Sequence, residues 1–431
     1  MSKILKLSIA FLLCLLYTAS VFAAQQLPAD VVEKKKEGWY FTGLPLVNYT
    51  TDDGFGFGAR VYFYDNGPKD GENFANEPYS IQLYGQFYMT LLGYHYDEIN
   101  LDYYNMFGTN LRLKSALVLD MNKNANFYGV GAKTTSRGLT DNLGNSYDTM
   151  KDYEDAFLNG IHSKFDKYQY IKPNYFADVY GDITKEFTWV AGFRIAYWDL
   201  SSWDGKKFDG DIQDPTRLDL ETPYGKDGAL YNTLRMGIAW NTLDYEPDPR
   251  AGFNIDYSLE TSQKWLGSES YYFRNTVGAR YYYTPWKPLT FAIRLGYTSS
   301  QLDMPFYEMN WFAFPYARQQ GLGGNRTLRG FPSNRFVAKT MTMGNLEVRY
   351  SFWEWTPGSE RFEFKVVAFY DAGNAYDDPF HPIYKPRFGD YQHCGGGGLV
   401  IAWNQATLVH FYFGASKETT AISVDFMHAI Q

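Results

Sequence analysis

Catalysis needs a nucleophile, a base and an acid that a fold can bring together, and this 431-residue sequence offers few candidates. A Gly-x-Ser-x-Gly turn, which would present a serine nucleophile, is absent. The histidines (His95, His162, His381, His393, His410 and His428) are scattered, and no pair has the helical spacing of zinc ligands. His393 and Cys394 are adjacent metal-ligating types, but two ligands are too few. Neighbours on a strand also point to opposite faces. Gly395 to Gly398 could suggest a phosphate loop, yet no Gly-Lys-Ser/Thr or helical pattern follows. Within a strand such a run marks a kink or close packing. Asp204, Asp209, Asp211 and Asp214 carry calcium-type oxygens without EF-hand spacing or its closing glutamate, and read as a solvated loop. The expectation is no catalytic residue, no metal and no cofactor.

A different constellation stands out. Residues 301 to 340 form a loop of about forty residues containing Gly321-Leu322-Gly323-Gly324-Asn325-Arg326-Thr327-Leu328-Arg329-Gly330-Phe331. Loops this long are functional or disordered, and Trp311, Phe312, Phe314 and Tyr316 argue for order. Folded into a wide interior, Arg329 would need an anion, because an unpaired buried charge is costly. Side-chain parity supplies two. In 341 to 352, Leu346, Val348, Tyr350 and Phe352 face outward, leaving Asn345, Glu347 and Arg349 inward. In 361 to 373 the inward set includes Phe369, Asp371 and Gly373. Two readings stay open on spacing alone: Arg329 pairs with these acids, or it is solvated above acids that line a wet pore.

The elements that position these residues are strands. Phe, Trp and Tyr make up 19% of the chain. That excludes disorder, and a formal net charge of -8 without basic clusters argues against nucleic acid. No 18-residue apolar run follows the N-terminal segment, so a bundle of membrane helices is excluded. Alternation dominates instead. Tyr79, Ile81, Leu83, Phe87 and Met89 alternate with Ser80, Gln82, Tyr84, Gln86 and Tyr88; Phe253, Ile255, Tyr257 and Leu259 alternate with Asn254, Asp256, Ser258 and Glu260. A soluble sandwich also alternates. Strands of ten residues or more, with Tyr281-Tyr282-Tyr283 and Trp353-Glu354-Trp355 at their ends, favour a transmembrane barrel with aromatic girdles. A sheet in lipid has to close.

Eleven strands are expected before residue 301 (54–64, 79–92, 94–105, 109–121, 125–135, 165–180, 184–199, 229–243, 252–262, 270–284 and 289–300) and five after 340 (341–352, 361–373, 395–404, 406–416 and 419–430). The fold class is thus all-β, a 16-stranded antiparallel transmembrane β-barrel with a lumen wide enough for the loop at about 301–340 to fold into. Lys3, Lys6, the apolar stretch Ile9 to Val21 and Val21-Phe22-Ala23 read as a cleaved signal peptide, residues 1–23. Residues 24–38 are then a short periplasmic segment and 39–431 the barrel. Cleavage leaves Cys394 as the sole cysteine, excluding an internal disulfide.

At these residues the sequence resembles the BamA/TamA outer-membrane assembly superfamily, also called the bacterial surface antigen family. Leu328-Arg329-Gly330-Phe331 resembles its Arg-Gly-Phe/Tyr tip in the sixth extracellular loop. Gly344-Asn345-Leu346-Glu347 and Phe369-Tyr370-Asp371-Ala372-Gly373 resemble its motifs on strands twelve and thirteen. Asn241-Thr242-Leu243-Asp244 with Pro249-Arg250-Ala251-Gly252 is similar to a family hairpin, Asn126 to Gly131 to a recurrent strand motif, and Pro45 to Tyr49 to the barrel entry. The resemblance spans roughly residues 40 to 430. It implies that Arg329 pairs in the lumen with Asp371 and Glu347, with Gly344, Phe369 and Gly373 around them. Two departures stand out. The residues between signal and barrel are too few for a periplasmic POTRA domain. The chain ends Phe426-Met427-His428-Ala429-Ile430-Gln431 where the family ends in an aromatic, so Phe426 would serve at the seam with a shifted register.

The function implied is insertion or translocation of outer-membrane or surface proteins in a Gram-negative envelope, through a seam between 54–64 and 419–430. Partners would be outer-membrane lipid and lipopolysaccharide, client outer-membrane proteins and a separate periplasmic chain, with no nucleic acid. The alternatives are a passive or solute-selective pore and an outer-membrane lipase, for which the residues offer no nucleophile and histidine together.

Overall fold

The structure, a computed structural model, describes residues 32–33, 35–71, 74–246, 248–358, 360–384, 388–403, 407–426 and 430. The expected signal peptide and most of the 24–38 segment lie outside the described residues. Sixteen antiparallel strands form one closed barrel in chain order. They are β1 (Trp39–Thr50), β2 (Gly54–Asp65), β3 (Ile81–Thr90), β4 (Tyr94–Tyr103), β5 (Leu111–Asn126), β6 (Lys167–Asp182), β7 (Phe187–Ser201) and β8 (Ala229–Asn241). The second half is β9 (Gly252–Ser262), β10 (Tyr271–Trp286), β11 (Leu289–Asp303), β12 (Thr340–Trp355), β13 (Phe362–Tyr376), β14 (Gln392–Trp403), β15 (Thr407–Ser416) and β16 (Thr420–Phe426).

The barrel is inside out relative to a soluble sheet. On β9, Ile255 and Tyr257 are exposed while Asn254, Asp256, Ser258 and Glu260 are buried. On β12, Leu346, Tyr350 and Phe352 are exposed while Asn345, Glu347 and Arg349 are buried. Polar side chains inside and apolar ones outside suit hydrocarbon around the wall. Among the described residues no helix is long and apolar enough to cross a membrane. At one end the connections are short, and aromatic rings crowd the wall there: Trp353 and Phe364 stack at 4.7 Å, Phe362 and Trp403 at 5.9 Å. The other end carries the long connections, 127–166, 202–228 and 304–339. These are the turn end and the loop end below.

The strand count of sixteen agrees with the sequence reading, but two strands differ. The expected 125–135 strand does not form. Asn122-Lys123-Asn124 reads as a turn in sequence, yet here it is a bulge, with register shifting between Asn122 and Ala125 as β5 continues to Asn126. Beyond it Gly129 and Gly131 have φ of 96° and 101°, which ends the extended run before a short helix, Lys133–Ser136. Conversely β1 was not expected as a strand, because Gly43 and Pro45 interrupt its alternation. Proline lacks a ladder donor and glycine a side chain to pack, so these residues hide β1 from a reading based on alternation. It pairs with β2 along its whole length. Among the described residues it pairs with β16 through Tyr49–Val424 and Thr50–Ser423. The seam therefore lies between β1 and β16, correcting the expectation that placed it at 54–64.

Candidate functional site

The connection between β11 and β12 is the sixth at the loop end, and its residues are mostly buried. It runs through the interior. A small hairpin pairs Trp311–Ala313 with Arg318–Gln320. Its tip reaches the turn end of β6, where the Tyr180 hydroxyl donates to the Pro315 carbonyl at 2.9 Å and the Tyr180 and Tyr316 rings stack at 5.7 Å. Phe312, Phe314, Leu322, Leu328, Phe331 and Phe336 join Met341 and Met343 of β12 in one apolar cluster. This cluster is the physical reason a forty-residue loop holds one shape.

From that cluster Arg329 projects at the wall. It is 2% exposed, and Glu347 and Asp371 are both 0%. Its Nε donates to Asp371 Oδ2 at 2.9 Å and its terminal nitrogen lies 2.7 Å from Asp371 Oδ1, a two-pronged pair. The backbone N–H of Arg329 also donates to Asp371, at 3.1 Å. The other guanidinium arm binds Glu347, whose second oxygen takes the Arg349 Nε at 2.8 Å. The guanidinium lies 3.7 Å from the centre of the Phe369 ring. Asn345 Nδ2 donates to both Asp371 Oδ1 (2.8 Å) and the Thr327 carbonyl (2.6 Å), tying the tip to the same acid.

Glycine makes this approach possible. A Cβ on Gly414 would stand 2.2 Å from the Arg329 carbonyl, and one on Gly330 would stand 2.8 Å from the Cys394 Cβ. Gly373 likewise faces Leu322 and Leu328 of the loop. Gly344 does not join them: it lies on the opposite face of β12 and meets only Leu295. The Gly395–Gly398 run is a regular part of β14, paired on both sides. His393 is exposed and Cys394 buried, so they face apart. Phe426 pairs with Val409, and its carbonyl accepts from Arg326 of the loop at 3.4 Å. Asp425 beside it binds Arg326 at 3.3 Å and Asn325 at 3.0 Å. The loop thus touches the last strand next to the seam.

A second anchor has no motif and was missed in the sequence. Glu308, on the short helix Phe306–Met309 of the loop, is 0% exposed. Arg194 of β7 holds it at 2.6 Å and Arg274 of β10 at 3.4 Å. Arg318 of the hairpin bridges Glu308 (3.3 Å) and Glu260 of β9 (3.0 Å). Side-chain parity placed Glu260 inward, and that was the available signal. A third contact, Arg335 to Glu418 at 2.6 Å, joins the loop to the β15–β16 connection.

The β1–β2 turn touches the loop as well. Asp52 accepts from the Ser333 N–H at 2.7 Å and from Asn126 at 3.1 Å. Beside it the carboxyl of Asp53 is pushed up to about 6, by burial first and the Asp52 charge second. An acid whose folded pKa is raised stabilises the fold when protonated. That contribution is complete below the ordinary value of 3.8 and is lost as pH rises through about 6. Asp53→Asn is therefore expected to raise the melting temperature at pH 8 and flatten its dependence between pH 4 and 6. Thermal melts of the detergent-purified barrel across that range check it.

Together these features define a class: a sixteen-stranded barrel of the outer-membrane type, plugged by its own sixth loop. Comparison with solved structures agrees on the fold. The barrel is similar to BamA from Haemophilus ducreyi lacking POTRA domains 1–3, with TM-score 0.53 and 13% identity, covering 91% of this chain and 71% of that one. It is similar to CdiB from Escherichia coli, with TM-score 0.52 and 8% identity, covering 92% and 69%. A family model described as a domain of unknown function (DUF5982) matches residues 18–80, spanning β1 and β2. Among curated proteins, none matches the sequence.

Proposed function

We propose that this protein resides in the outer membrane and acts in the insertion or translocation of other outer-membrane or surface proteins. The observation that carries the reading is the seam. Among the described residues β1 and β16 share two register pairs, Tyr49–Val424 and Thr50–Ser423, near the loop end. Where that seam parts, the N–H and C=O groups it frees are costly within a membrane and make a template for an incoming strand. The Arg326 contacts to Asp425 and Phe426 support a link between the loop and this edge. In this reading Arg329, Glu347 and Asp371 hold the plug and do no chemistry. Lipid, lipopolysaccharide, client barrels and a separate periplasmic chain are the proposed partners. The plug is anchored on two walls and fills part of the lumen, which weighs against a wide, unselective pore.

The test is quantitative outer-membrane proteomics after deletion of the gene. Several barrels, or one defined surface protein, are expected to fall in abundance at unchanged transcript. An unchanged membrane proteome with reduced uptake of a solute would overturn the reading.

A further inference from the structure

The plug leaves part of the lumen open. Between it and the inner wall of β1 to β5 lies a cavity of about 1180 Å³. Small-molecule sites span about 300–1,000 Å³. Its lining runs from Met150 and Thr419 at the loop end to Glu246 and Tyr316 at the turn end.

The wall of this cavity is built from tyrosine. Tyr62, Tyr79, Tyr88, Tyr94 and Tyr96 line it. Their rings continue into a series. Tyr40 stacks on Tyr64 at 5.1 Å, Tyr64 on Tyr62 at 5.4 Å, and Tyr62 meets Tyr84 at 5.3 Å. Toward the loop end Tyr88 meets Tyr94 at 6.1 Å and Tyr94 meets Tyr96 at 6.4 Å. Planar polar groups sit among the rings. Arg60 Nε donates to Gln86 at 2.8 Å, its NH1 to the Tyr62 hydroxyl at 2.8 Å, and its guanidinium lies 4.7 Å from the Tyr84 ring centre. Asn48, Gln82, Lys114 and Asp120 add further donors and acceptors on the same lining.

This alternation of ring faces and planar hydrogen-bonding groups selects among ligands. A pyranose has apolar C–H faces that lie flat on an aromatic ring, and hydroxyls around its rim that need both donors and acceptors. A hydrocarbon chain would strip water from Arg60, Lys114 and Asp120 without replacing it. An extended peptide would want a free strand edge, but the backbone N–H and C=O groups of the wall lie in the plane of the sheet and not toward the lumen, and β2 to β5 are paired on both sides. We propose that the cavity along β1 to β5 is a binding track for an unbranched oligosaccharide, its rings stacked on the tyrosines and its hydroxyls held by Arg60, Gln82 and Gln86. The volume suits more than one sugar ring. Thr50, Ser423 and Asp425 beside the seam also line the cavity, but the binding proposal does not need the seam to part and stands or falls separately from it.

Trp198 and Trp311 also line the cavity and report on its occupancy. The folded barrel in detergent is titrated with maltohexaose, chitohexaose and hexagalacturonate, followed by tryptophan fluorescence and calorimetry, with an extended decapeptide alongside. At least one saccharide is expected to bind and alter the fluorescence. Tyr62→Ala should weaken that binding roughly tenfold or more, while Tyr62→Phe keeps it. If Tyr62→Ala does not fold, as judged by its heat-modifiable gel mobility, Tyr96→Ala and Gln86→Leu carry the comparison. Failure of all three saccharides, binding of the peptide alone, or affinity unchanged in the ring-deleted variants overturns the proposal.

Discussion

Arg329→Ala is expected to lower the stability of the barrel by roughly 3–5 kcal/mol, because it leaves the buried Asp371 carboxylate without its cation. Arg329 fills one arm of Glu347 and both oxygens of Asp371, all within a site less than 3% exposed. Truncation leaves Asp371 with Asn345 and the backbone N–H of residue 329, and Glu347 with Arg349. Those partners remain, so the loss falls mainly on Asp371. Arg329→Lys should rescue little, since a point ammonium cannot replace a fork spanning two acids. The double variant Arg329→Ala/Asp371→Ala should cost less than the sum of the singles, the sign of direct coupling. Thermal melting in detergent reads the stability. Planar-bilayer currents read the plug: released on one wall but still held by Glu308 on the other, it should give larger, noisier conductance than the parent. Adding Glu308→Ala should open it further. Melting and currents both unchanged would show that the pairing does not hold the loop.

The second large effect concerns the seam. Cysteines at Tyr49 and Val424, which are register partners, would place a disulfide across the β1–β16 contact. Paired antiparallel residues stand about 4.5–5.5 Å apart at Cα, within the reach of a disulfide. The test needs Cys394→Ser so that the buried thiol does not compete. If the seam must part, the oxidised protein should fail to restore client abundance in the deletion strain, reductant should restore it, and each single-cysteine variant should behave as the parent. A locked protein that complements fully would remove the seam from the mechanism. Among the described residues, two register pairs and the Thr51–Ile422 contact join β1 to β16, so a disulfide at Tyr49 and Val424 locks the seam where it is closed.

Legibility in the sequence followed the range of the interaction. Period-two alternation is local, so strands such as β3, β9 and β12 were readable within a few residues. Parity, also local, turned Glu347 and Asp371 inward. The errors came where local signals were ambiguous. Asn122-Lys123-Asn124 has turn composition and forms a bulge, in which Asn122 accepts from the Asn124 N–H at 2.7 Å. Pro45 and Gly43 weaken the pattern of β1, although its partner β2 pairs with it throughout. One strand too many and one too few left the count at sixteen while moving the seam.

By itself the sequence determined the alternating strands, an outside greasier than the inside, and the presence of an arginine-bearing loop with inward acids to receive it. Each is set by residue type and a spacing of two along one strand. Only the tertiary structure decided what those acids meet. Arg329 and Asp371 are 42 positions apart, and Glu308 and Arg194 are 114 apart. Their pairing depends on barrel closure and on the course of a forty-residue loop through the lumen. The same holds for the β1–β16 seam and the tyrosine-lined cavity. Both are properties of strands brought side by side, and no spacing within a single strand encodes that.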